Sequence, residues 1–218
     1  MKVTRRRIIR LLAWLLLIAG VTGICYFAYI SVFSPLTSAP EAKTPHTKSN
    51  VDGTKKTQEQ LAMHVVPATH PRQLIIPTLG IDANILAVGI AQDGSLDAPK
   101  TAWDVGWYDQ SSLPGTNGGA MIIDGHVNDS LDRAGVFARI GSLKKGAEIV
   151  IERGDGQKFS FRVLSTEQKP VNQISMDTLL APAAAGKERL TLITCGGTYN
   201  PAHKTYDDRV LVYAEKNT

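Results

Sequence analysis

Leu190-Thr191-Leu192-Ile193-Thr194-Cys195-Gly196-Gly197 reads as a β-strand of aliphatic and β-branched residues that ends on a cysteine and is released into a loop by two glycines. That pattern puts a thiol at the rim of a sheet. Working outward, short apolar or alternating runs between turn formers recur at 73–76, 81–90, 94–97, 119–125, 147–153, 157–167 and 209–215, which with 189–195 makes eight candidate strands. Gly154-Asp155-Gly156 reads as a hairpin turn, and Phe159, Phe161 and Val163 alternate with Ser160 and Arg162 as a buried and an exposed face. No long segment after Gln73 carries the 3.6-residue period of an amphipathic helix; 136–143 and 176–181 are the candidate helical turns. The expected fold is mainly β, a closed eight-stranded barrel with short helices, because closure removes exposed strand edges.

Two more residues share the strand-rim position of Cys195. Arg209 opens the strand Arg209-Val210-Leu211-Val212-Tyr213, and antiparallel pairing with 190–195 sets its guanidinium beside the thiol. A permanent cation there favours thiolate and can hold a developing oxyanion, whereas the bland alternative is a surface ion pair with Asp207 or Asp208. His126 follows the apolar strand 120–124 across the bend at Gly125. Taken singly, a free cysteine is more often a packing residue and a lone histidine a structural one; the shared position is what argues for chemistry. His203, in the loop after Cys195, either borders a groove or is a plain loop residue, and Trp107 either lines a groove wall or belongs to the core.

The N-terminal third is organised differently. From Leu11 to Phe33 the chain carries no charge, longer than the ~20 residues that cross a bilayer as a helix, so residues 8–33 read as a transmembrane helix. Arg5, Arg6, Arg7 and Arg10 keep the tail 1–7 cytoplasmic and send the rest of the chain outside. Residues 34–71 contain five prolines and no Phe, Trp or Tyr, and are expected to form a flexible extracytoplasmic linker ahead of a folded domain at 72–218. Residues 1–71 carry nine Lys or Arg against three Asp or Glu, and 72–218 carry fifteen against seventeen. The folded part is therefore mildly acidic, which speaks against nucleic acid as a partner. Cys25 lies in the apolar run and Cys195 in the outer domain, so the two cysteines are not expected to pair.

Thr191-Leu192-Ile193-Thr194-Cys195 resembles the signature of the sortase family, with Gly125-His126-Val127 and Asp208-Arg209-Val210 in matching places. The likeness spans about 72–216 and takes in Ile76-Pro77, Ile81-Asp82, Gly106-Trp107-Tyr108 and Leu113-Pro114-Gly115; among sortases it is most similar to the class F type of actinobacteria. Asn128 departs from it, standing where the pattern usually has Asp after His-Val.

What the resemblance implies is a cysteine transpeptidase with a sortase-type barrel. Cys195 would attack the Thr-Gly bond of a Leu-Pro-x-Thr-Gly-like sorting motif, Arg209 would bind the oxyanion, and His126 would protonate the leaving amine and later deprotonate the incoming one. Thr194, and with it Trp107 and His203, would contact substrate. The implied partners are surface proteins with C-terminal sorting motifs and an amine acceptor of the cell envelope, served by a monomeric catalytic domain at the cell wall. With unperturbed pKa values, thiolate and imidazolium coexist in only about 1% of molecules near pH 7.5. No cofactor or metal is needed: Cys195, His126 and His203 lack the paired spacing of structural zinc, and no acidic cluster suggests calcium. Two other readings stay open on the residues alone, a non-catalytic barrel that binds envelope components and a cysteine protease that resolves the acyl-enzyme with water.

Overall fold

The computed structural model describes residues 51–92, 94–116, 118–181 and 186–217. The expected tail 1–7, the span 8–33 with Cys25, and residues 34–50 of the linker lie outside the described residues. Among those described, no helix is long and apolar enough to cross a membrane.

Eight strands close into a barrel: β1 (Pro71–Ile76), β2 (Ile81–Val88), β3 (Val105–Tyr108), β4 (Ala120–Gly125), β5 (Glu148–Arg153), β6 (Lys158–Pro170), β7 (Arg189–Asn200) and β8 (Thr205–Lys216). Around the barrel they run β1-β2-β3-β4-β7-β8-β6-β5. The β2–β3 and β4–β7 pairs are parallel and the others antiparallel. Parallel neighbours need crossovers, and the one from β2 to β3 carries residues 89–104 past the rim where β4 ends.

Strand alternation sorts the side chains into two apolar groups. Met121 and Ile123 of β4 and Leu190 and Leu192 of β7 point into the barrel with Leu74, Phe161 and Val212. Ile122, Ile193 and Leu211 point to the outer face, where Leu179 of the short helix α2 (Met176–Leu180) covers them. The Oγ of Ser175 caps α2 by accepting from the amide of Thr178. This outer apolar face spans three adjacent strands, and Cys195 lies one pleat beyond Ile193.

Several expectations are corrected. Residues 94–97 form no strand, only an isolated bridge between Ile90 and Leu96. The strand between β2 and β4 is instead 105–108, too short and too rich in glycine and aromatics to show a period. Within 136–143 only Ile140–Ser142 is helical, as a single 3-10 turn. β7 does not end at Cys195; it passes through a bulge between Gly196 and Tyr199 and pairs with β8 as far as Asn200 opposite Thr205. The β7–β8 ladder thus rises beyond the barrel as an arm.

Residues 51–70, assigned to the linker by composition, are packed on the barrel. Asp52 pairs with Thr101, the indole Nε1 of Trp103 donates to the Gly53 carbonyl (2.9 Å), and Lys56 pairs with the buried Asp104 at 2.7 Å. Helix α1 (Gln58–Ala62) follows, closed by a capping box between Thr57 and Gln60, and Leu61 beneath it is only 5% exposed. The segment lacks the apolar surface to fold alone, but one leucine and a few polar anchors are enough to dock it on a finished core.

Candidate active site

Cys195 and Arg209 are direct cross-strand partners in the β7–β8 ladder. Such pairs stand with Cβ atoms about 5 Å apart on one face. The β4–β7 register pairs Asp124 with Ile193, and its continuation sets Gly125 beside Thr194 and His126 beside Cys195. Three strands that meet only in the folded barrel therefore bring the expected trio to one rim. Thr194 is buried and points inward, its Oγ1 donating to the Gly125 carbonyl at 2.7 Å.

Each member is held by its surroundings. His126 Nε2 lies 2.6 Å from the Pro99 carbonyl in the β2–β3 crossover. A carbonyl only accepts, so Nε2 carries the hydrogen and Nδ1 is the nitrogen available to exchange a proton. The main chain of His126 is fixed from behind by the Phe137 amide, which donates to its carbonyl at 3.0 Å. Gly125 makes room for that packing, since a Cβ there would fall 2.6 Å from the Phe137 ring. Arg209 makes no ion pair with Asp207 or Asp208. Its Nη1 donates to the Tyr206 and Asp208 carbonyls, both at 2.9 Å, and its Nη2 to Thr205 Oγ1 at 3.2 Å. Of a guanidinium's five N–H donors these use three, leaving two for an anion.

Burial pushes the Cys195 thiol above its ordinary pKa; the Arg209 cation opposes this and Asp124 reinforces it. The resting site therefore favours neutral thiol, and the cation offsets only part of the cost of desolvating a thiolate. Asn128 Nδ2 donates to the Tyr206 hydroxyl at 2.9 Å and to Asp132 Oδ1 at 2.6 Å, tying the loop after His126 to β8. Tyr206 is pushed up to about 12 by burial and by Asp132, so it remains a neutral hydroxyl in the site.

One expected substrate contact falls elsewhere. Trp107 is 4% exposed in the barrel interior, its Nε1 donating to the Ser112 carbonyl, and its neighbour Tyr108 packs against the outer apolar cluster instead. A one-residue difference in a strand reverses the face. His203 is exposed in the turn at the tip of the β7–β8 arm. Asp124 went unnoticed in the sequence, although a carboxylate ending the apolar run 120–123 was a visible signal. The cleft of about 270 Å³ bounded by Lys55, Leu61, Trp103, Val136 and Arg139 is not at the thiol; it lies where residues 51–61 cross the barrel.

A family profile for the sortase domain matches residues 74–217. Solved structures share the fold. Sortase C-1 from Actinomyces oris is 22% identical with a TM-score of 0.51, covering 74% of this chain and 81% of its own. A lid mutant of sortase A from Corynebacterium diphtheriae is 23% identical with a TM-score of 0.52, covering 73% and 76%. The pilus island 1 sortase C2 of group B Streptococcus is 21% identical with a TM-score of 0.51, covering 76% and 83%. No curated protein sequence matches the chain.

Proposed function

Since the chain belongs to the sortase family, whose members are cysteine transpeptidases, we propose that Cys195 is its nucleophile, His126 its acid and base, and Arg209 its oxyanion donor. The observation that carries this is the cross-strand pairing of Cys195 with Arg209, with His126 one strand away at the same level. The Cys195 thiolate attacks a peptide carbonyl, and the two uncommitted N–H donors of Arg209 meet the oxyanion. His126 gives a proton from Nδ1 to the departing amine as the carbon–nitrogen bond breaks, leaving a thioester on Cys195. An incoming amine then loses a proton to His126 and takes the acyl group. Desolvation keeps most thiol protonated, so the competent thiolate–imidazolium form is a minority population.

The donor is a surface protein whose C-terminal sorting motif of the Leu-Pro-x-Thr-Gly kind is cut between Thr and Gly, and the acceptor is an amine of the cell envelope. Within the family the chain is of the class F type, anchored through residues 8–33 with its catalytic domain outside the cell membrane; the charge pattern of the N-terminus supports this topology.

The test is mass spectrometry of the full-length chain in detergent with a Leu-Pro-x-Thr-Gly-type peptide and triglycine, beside Cys195→Ala. A peptide–triglycine product that vanishes in the variant is the expected result. Hydrolysed peptide alone, with triglycine present, would replace transfer to an amine by transfer to water.

A further inference from the structure

Asp124 is the one acidic residue of β4, and the register sets it on the outer face, paired with Ile193 of β7 and Gly106 of β3. It is thus one pleat from both Cys195 and His126, between the outer apolar cluster and the rim that carries them. Its Oδ1 is buried without a hydrogen-bond partner among the described residues. The residue as a whole is half-buried, so part of it reaches the surface of this outer face. Gly106 supplies the space: a Cβ there would fall 2.1 Å from that Oδ1.

A buried polar atom without a partner lowers stability, and an isoleucine such as Ile122 would satisfy the strand better. The unmatched Oδ1 is what a hydrogen-bonding group from outside the chain would relieve. Burial holds it well above the ordinary carboxylate range, Asp97 adding to the effect while the amides of Asp124 and Gly106 oppose it, so its neutral form, which has both a donor and an acceptor, extends to higher pH than in an exposed aspartate.

Resting on the acyl-transfer reading above, we infer that Asp124 is a specificity-determining residue, whose carboxyl hydrogen-bonds a hydroxyl-bearing side chain on the donor residue that enters beside Cys195. A hydrocarbon surface alone separates a hydroxyl from a methyl poorly, whereas a desolvated polar group left unmatched penalises the methyl. Asp124 acts on the choice of donor and takes no part in proton transfer.

The experiment uses N-acetyl-threonine and N-acetyl-valine vinyl sulfones, which differ by a hydroxyl for a methyl. Each adds the Cys195 sulfur to its double bond, with the thiol proton ending on the adjacent carbon, so neither acceptor amine nor complete motif is needed. Inactivation rates of the full-length chain in detergent are divided by the iodoacetamide rate of the same variant to remove differences in thiol reactivity. The expected threonine-over-valine preference is roughly 5- to 100-fold in the unaltered chain. It falls to about one in Asp124→Ala and Asp124→Leu and persists in Asp124→Asn, which keeps a donor and an acceptor. The alanine variant opens space and the leucine variant fills it, so whichever stays folded gives the answer. An unaltered chain without preference, or Ala and Leu variants that retain it, overturns the inference. Failure of the transpeptidase reading appears separately, as a missing triglycine product while the vinyl sulfone preference remains.

Discussion

Thr194 and Gly125, 69 residues apart in the chain, are joined by a 2.7 Å hydrogen bond from the threonine hydroxyl to the glycine carbonyl. Each is the residue immediately before a member of the proposed catalytic pair, Cys195 and His126. The bond therefore sets the height of one strand's rim against the other's and requires no contact between Thr194 and substrate. Thr194→Val preserves shape and removes the donor, leaving a carbonyl unmatched at the core edge. The expected cost is about 1–3 kcal/mol of stability by urea denaturation. Peptide transfer should fall more steeply than thiol alkylation by iodoacetamide, because alkylation needs only Cys195 while transfer needs His126 in register.

Arg209 lowers the thiol's pKa against a larger upward push from burial. Iodoacetamide labelling of Cys195, followed from pH 6 to 10, should have its midpoint above that of a free thiol. In Arg209→Ala the midpoint should move further up, since the opposing cation is gone. Transfer activity should drop by about 10²–10³-fold, the usual cost of losing an oxyanion donor. Arg209→Lys keeps charge without the planar fork and should leave the labelling midpoint nearer the unaltered one while recovering little transfer. An unchanged midpoint in Arg209→Ala would separate the guanidinium from the thiol.

Asp124 also sets a pH dependence of stability. Its folded-state pKa lies above the ordinary 3.8, so the native state holds this proton more tightly than the unfolded chain. The contribution is fully present below about pH 3.8 and is lost as pH rises through the folded value. Asp124→Asn carries no such proton, so the stability of the variant relative to the unaltered chain should increase from pH 4 towards neutrality. Urea midpoints at several pH values measure it, and a difference constant with pH would contradict a buried, protonatable Asp124.

Lys56 reaches Asp104, whose carboxyl is 2% exposed and also accepts from Thr101 Oγ1. Lys56→Met removes the cation and leaves that carboxylate with the hydroxyl alone, at an expected cost of about 1–3 kcal/mol. The crossover 99–104 also presents the Pro99 carbonyl to His126, so transfer should decline with it. A variant as stable and active as the parent would make residues 51–61 mere packing on the barrel.

The barrel, and three residues that the structure brings to one rim, were readable in the sequence because their signals are local. Alternation in 157–163, the Gly154-Asp155-Gly156 turn, and an apolar run ending on Cys195 each lie within a few residues. What the sequence by itself determined, then, was seven of the eight strands, the kind of fold and three residues placed at strand rims. Tertiary structure decided whatever depends on a distant partner. β3 is a strand because β2 and β4 pair with its four residues, and β7 outruns its glycines because β8 lies alongside. Trp107 faces the core, and 51–61 dock onto surface that exists only after the barrel closes. Asp124 meets Gly106 and Ile193 for the same reason: cross-strand register brings together residues whose separation in the chain gives no hint of contact.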